Sequence, residues 1–74
     1  MTVTVYTLPA CVQCDRTKKM LDKKFINYSE IDISLDSVAY DTVKTLGYTA
    51  APVVVAGDEH WSGFRPDLID GIES

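Results

Sequence analysis

No apolar run in the 74 residues approaches the roughly 20 needed to cross a bilayer, so no membrane span is expected. The first ten residues, MTVTVYTLPA, lack a basic segment and alternate Val with Thr, which reads as a strand rather than a signal peptide. The expected location is therefore the cytoplasm. Histidine occurs once, at His60, and cysteine only twice. Structural zinc takes four Cys or His ligands, so one copy of the chain falls short of a site, and only a metal shared across a dimer stays open. Cations are scarce beyond residue 24, where Lys44 and Arg65 face nine acids. With a net charge of −4, the chain is not expected to bind nucleic acid or anionic membrane. There are only three prolines, and no repeat, linker or low-complexity stretch. What is present is 46% hydrophobic and 24% charged, the balance of a globular chain. We expect one small domain spanning residues 1–74, acting as a monomer.

The apolar pattern orders the elements. Residues 2–7, TVTVYT, alternate as a strand with Val3 and Val5 on one face. From Val12 to about Lys24 the period is helical, with Cys14, Thr17, Leu21 and Phe25 on one stripe. Five cations lie in the first 24 residues, all after the cysteines. They suit a helix end solvated on one face, where the dipole favours positive charge, and could also draw in an acidic partner segment. Residues 28–34, YSEIDIS, read as a second strand. A second helix is expected from Leu35 to Leu46, with Leu35, Ala39, Val43 and Leu46 inward and Gly47 as its stop. PVVVA at 52–56 is a short buried strand. Gly57-Asp58 is a Gly-first hairpin turn leading back through EHWS. A last short helix begins with Pro66 at a permitted first-turn position.

The resulting order, β-α-β-α-β-β-α, makes the first two strands parallel and the last two antiparallel. A four-stranded mixed sheet flanked by three helices follows, an α/β fold of the thioredoxin type in its smallest, glutaredoxin-like form.

Cys11 and Cys14 stand where the first strand gives way to the first helix. As a structural cross-link the pair is weak, since so short a loop limits the unfolded chain by only roughly 2 kcal/mol. As a metal site it is half complete. A redox couple suits the spacing. Cys11 falls at the helix start, where free N–H groups and the dipole stabilise an anion. An ordinary thiol, with a pKa of about 8.5, is only a few per cent thiolate at pH 7, and such a position commonly lowers it. Cys14, one turn further in, lies on the buried stripe. Cys11 is thus expected to attack a partner's disulfide and Cys14 to resolve the mixed disulfide. Pro52 is accounted for as a strand-initiating proline. Beside a Cys-x-x-Cys loop in this strand order we expect a cis Ala51–Pro52 peptide, leaving the Ala51 backbone free to pair with a bound peptide.

Cys-Val-Gln-Cys at 11–14, Asp-Ile-Ser at 32–34, Leu-Gly-Tyr at 46–48, Ala-Pro-Val-Val at 51–54 and Trp-Ser-Gly-Phe-Arg-Pro at 61–66 occur together and in order. Across nearly its whole length the chain closely resembles the NrdH-redoxins, glutaredoxin-like electron donors of class Ib ribonucleotide reductase. The resemblance implies a dithiol–disulfide oxidoreductase that holds no bound cofactor. Its electrons would come from NADPH through a flavin-containing thioredoxin reductase rather than from glutathione. It implies Cys11 and Cys14 as the catalytic pair, and Ala51 and Pro52 as the peptide-binding edge. Trp61, Ser62, Gly63, Phe64 and Arg65 would be the partner-binding surface. Read without the resemblance, Trp61 and Phe64 suit the core of so small a protein, since each can bury about 150–250 Å². Arg65 is open between a helix-start ion pair and a partner contact.

One departure stands out. Members of that family usually carry a lysine where this chain has Leu8, which removes a cation from beside Cys11 and from any carboxylate of glutathione. A glutathione-dependent glutaredoxin and a metal- or cluster-bridged binding module are the alternatives.

Overall fold

Alternating Val and Thr build β1 (Val3–Thr7), whose Val3 and Val5 point to one face of the sheet and whose Tyr6 lies on the other. In the computed structural model, which describes residues 2–72, this strand is followed by α1 (Val12–Lys23), β2 (Ser29–Asp32), α2 (Ser37–Thr45), β3 (Val53–Ala56), β4 (Glu59–Ser62) and α3 (Pro66–Asp70). The outermost residues of the expected 1–74 span lie outside the described residues. The sheet order is β2-β1-β3-β4. β1 runs parallel to β2 and antiparallel to β3, and β3 pairs antiparallel with β4. Gly57, at φ 62°, opens the two-residue turn between them, and the turn is of the expected Gly-first kind.

The sheet divides the interior in two. On one face Val3, Val5, Val54, Ala56 and Trp61 pack against Leu21 of α1, Ile26, and Ile69 of α3. On the other, Val53 packs with Ile33 and with Ala39 and Val43 of α2. No helix among the described residues is long and apolar enough to cross a membrane.

Three expectations need correction. The stripe of α1 buries Cys14, Thr17 and Leu21, but Phe25 is 90% exposed. The helix ends before it: Phe25 turns to φ 58°, its N–H donates to Asp22 O, and the N–H of Ile26 donates to Leu21 O. That left-handed cap shifts the inward position by one residue, so Ile26 fills the core instead. Leu35, expected inward on the second helix, is 85% exposed, because Asp36 caps α2 by accepting from Ala39 N at 3.0 Å. The second strand is also shorter than 28–34. After Asp32 its own carboxylate accepts from Ser34 N and Ser34 Oγ and turns the chain. At the far end of α2, Gly47 (φ 93°) makes the same kind of cap as Phe25, with Tyr48 N donating to Val43 O.

Candidate redox-active site

Strand β1 ends in the loop Leu8–Ala10, and Ala10 adopts φ 56° as the chain swings into α1. Cys11 is the N-cap of that helix, extended in backbone, and its Sγ accepts the N–H of Cys14 at 3.1 Å. A helix start leaves such N–H groups without internal partners, so the sulfur occupies the place that a Ser or Asp oxygen fills elsewhere. Cys11 is half-buried, while Cys14 is 2% exposed. The two are joined as a disulfide, with Cα atoms 5.2 Å apart. Val12, 66% exposed, and Leu8, 39% exposed, put apolar surface on either side of Cys11.

Beside this loop the Ala51–Pro52 peptide is cis, as expected. Two hydrogen bonds tie that edge to residues 62–63, at and just after the end of β4, and a third ties Phe64 to the cysteine loop. Ser62 Oγ donates to Ala50 O at 2.9 Å, and Gly63 N donates to Pro52 O at 2.8 Å. The Phe64 N–H donates to Gln13 Oε1 at 3.1 Å. Gln13 lies between the two cysteines, so the ring runs from the cysteine loop through residues 62–64 to Ala50 and Pro52. Gly63 needs its φ of 87° there, and an added Cβ would lie 3.3 Å from Gln13 Oε1. Behind Cys14, buried Thr17 donates from Oγ1 to Gln13 O at 2.9 Å.

The residues expected as partner surface separate by burial. Ser62, Gly63 and Phe64 are half-buried beside the cysteine loop, and Ala51 is half-buried on the same side. Pro52 is buried. Trp61 is 4% exposed, packed in the core of the α1 face, with its Nε1 lacking a hydrogen-bond partner among the described residues. A partner cannot reach its side chain there. Arg65 is exposed, but its guanidinium grips Asp67 in two hydrogen bonds of 3.2 and 3.0 Å. Those bonds hold the Asp67 carboxyl below its usual range.

One further side chain, Gln13, braces the site though composition and spacing mark it weakly. Its partner is 51 residues away, so in the sequence only its place between the cysteines points to a role. Thr7, at the end of β1, is 3% exposed and donates to Glu30 Oε2 at 3.2 Å, where Lys18 Nζ also binds at 2.9 Å. That hydrogen bond to Glu30 is the main cause holding the Lys18 ammonium above its ordinary pKa. His60 bonds Tyr48 Oη through Nδ1 at 2.7 Å, fastening the loop before Ala51 to β4. Among the described residues no three His, Cys, Asp or Glu side chains converge as metal ligands would.

Comparison with known proteins agrees with this geometry. The glutaredoxin family model matches residues 3–61. The glutaredoxin-like protein NrdH of Salmonella typhimurium is 41% identical over 70 residues, covering 95% of this chain and 86% of that protein. NrdH of Lactococcus lactis subsp. cremoris is 41% identical over 64 residues, covering 86% of this chain and 89% of that one. Among solved structures, NrdH-redoxin from Escherichia coli, described as a glutaredoxin-like protein with a thioredoxin-like activity profile, superposes with a TM-score of 0.96. It is 36% identical, with 100% of this chain and 97% of that chain covered. With its Cys-x-x-Cys pair at the head of α1, the chain belongs to the glutaredoxin-like NrdH family of thiol–disulfide oxidoreductases.

Proposed function

We propose that this protein carries electrons from NADPH, through a flavin-containing thioredoxin reductase, to the disulfide of class Ib ribonucleotide reductase. The observation that carries the chemistry is the inequality of the two sulfurs: Cys11 is half-buried with a backbone N–H on its Sγ, and Cys14 is enclosed. In the reduced protein the Cys11 thiolate attacks one sulfur of the partner's disulfide. A Cys11–partner bond forms, the partner's S–S bond breaks, and the first partner thiolate leaves and takes up a proton. Cys14, deprotonated, then attacks the Cys11 sulfur. The intramolecular disulfide forms and the second partner thiolate leaves, so two electrons and two protons pass to the partner. The flavoprotein restores the dithiol, and no cofactor needs to be bound by this chain.

The donor follows from charge. Glutathione carries two carboxylates, and the loop before Cys11 offers Leu8 in place of a cation. Arg65 is already engaged by Asp67 on both oxygens. The thioredoxin-like profile described for the E. coli relative points the same way. A protein partner can use the Ala51 edge, the apolar surface of Leu8 and Val12, and the half-buried Phe64 together. The same reading makes the chain a single-domain, cytoplasmic monomer. The test is NADPH consumption in parallel assays on one disulfide substrate, with thioredoxin reductase in one and glutathione plus its reductase in the other. We expect efficient turnover in the first and negligible turnover in the second. Glutathione-supported rates equal to or above the first would favour a glutaredoxin instead.

A further inference from the structure

On the face of the sheet opposite α1 lies a recess of about 240 Å³ lined by Leu8, Tyr40, Val43, Lys44, Tyr48 and Ala51 among others. Two of its walls belong to the neighbourhood of the disulfide. Leu8 stands in the loop before Cys11, and Ala51 precedes the cis proline. Its inner wall is Val43 of α2, 3% exposed, and its mouth is formed by Leu8 and Tyr40, 39% and 45% exposed. Lys44 arches over the Tyr40 ring at 5.2 Å, and among the described residues no acid lines the recess.

We propose that this recess seats the apolar side chain of the residue immediately next to the partner cysteine that Cys11 attacks. The inference rests on the disulfide chemistry proposed above and adds a rule of substrate selection to it. The Ala51 N–H and C=O make no hydrogen bonds among the described residues, so an extended partner segment can pair with them. Side chains of an extended segment alternate between two faces. If the partner cysteine points to Cys11, at the head of α1, its neighbour points to the opposite face of the sheet, where α2 and the recess lie. Small-molecule pockets usually measure roughly 300–1,000 Å³, and this recess falls below that range, on the scale of one side chain.

The test uses reduced protein freed of other reductant and mixed with disulfide-linked homodimers of a short single-cysteine peptide. Cys11 and Cys14 supply both electrons, releasing two peptide thiols per protein disulfide formed. The peptides differ only in Leu or Ala placed before, or after, the cysteine. Each fully buried methylene is worth roughly fourfold in binding and Leu has three carbons more than Ala; with about half of that gain realised in a recess open at its mouth, we expect Leu to be favoured about tenfold on one side of the cysteine. Tyr40→Ser and Leu8→Ser should each bring that Leu/Ala ratio below about threefold, by opening the mouth of the recess. Because the ratio is taken within one variant, a general change in reactivity cancels. A ratio near one at both positions, or a ratio intact in both variants, overturns the proposal. Bis(2-hydroxyethyl) disulfide, which has no side chain to seat, separates the two levels. If it is cleaved while the ratio is one, the recess proposal fails alone. If it is not cleaved, the dithiol chemistry fails and the recess proposal with it.

Discussion

At residue scale the two sulfurs differ in access and in partners, and their variants should differ in kind. Cys11→Ser removes the sulfur that an incoming disulfide can reach, and should abolish reduction of protein disulfides. Cys14→Ser should still attack and should accumulate as a mixed disulfide, visible by mass spectrometry under non-reducing conditions; equal trapping by both variants would overturn the assignment. Gly63→Ala places a Cβ 3.3 Å from Gln13 Oε1 at a left-handed φ. It should cost about 1–3 kcal/mol in denaturant unfolding and slow disulfide reduction, since the same residue's N–H holds Pro52. Lys18 offers a pH test. Its ammonium, held by Glu30, has a pKa raised above 10.5, so the stability it contributes is complete below that value. It is lost as pH rises through the folded-state value. The pair is partly exposed and worth at most about 1 kcal/mol. The stability difference between wild type and Lys18→Met, measured on the oxidised protein, should therefore be present at neutral pH and vanish in strong alkali.

At the scale of elements, α1 and α2 end in the same left-handed cap, yet one uses Gly47 and the other Phe25. A non-glycine residue pays roughly 1 kcal/mol in that conformation, and the Phe25 ring, 90% exposed, recovers little of it by packing. Phe25→Gly should accordingly raise the denaturation midpoint, by about 1 kcal/mol in unfolding free energy; an unchanged or lowered midpoint would count against the strain. The same contrast shows where the sequence was legible. Gly47 announced its helix stop because glycine is the residue that position favours. Phe25 concealed one, because an aromatic in step with Cys14, Thr17 and Leu21 looks like another core residue. The start of α2 was misplaced for a related reason: apolar Leu35 outweighed Asp36, although the aspartate cap marks the boundary. Element order, the parallel pairing of the first two strands, the antiparallel pairing of the last two and the hairpin turn were readable, since periodicity and turn residues are local signals; the antiparallel β1–β3 pairing that completes the sheet was not. The tie from Gln13 to Phe64 was not, because nothing local encodes a contact between the cysteine loop and the segment after β4.

Taken as a whole molecule, the chain sets a short basic stretch against an acidic remainder. The fold tempers that asymmetry: Lys18 is paired with Glu30 and Lys24 with Asp70. Arg16, Lys19 and Lys23 have no ion-pair partner among the described residues. Attraction of an acidic partner segment should thus be modest, with the rate of reducing an acidic peptide disulfide falling only about two- to threefold on raising salt from low to several times physiological strength. A steep loss would mean that the basic face does more than the paired lysines suggest. The division of the interior by the sheet has an optical consequence. The chain has one tryptophan, Trp61 of β4, 4% exposed and packed in the core of the α1 face. A lone indole buried among apolar side chains should fluoresce at short wavelength and shift to the red when water reaches it. The protein therefore carries its own unfolding reporter, so the stability changes expected for Gly63, Lys18 and Phe25 variants can be followed without attaching a dye.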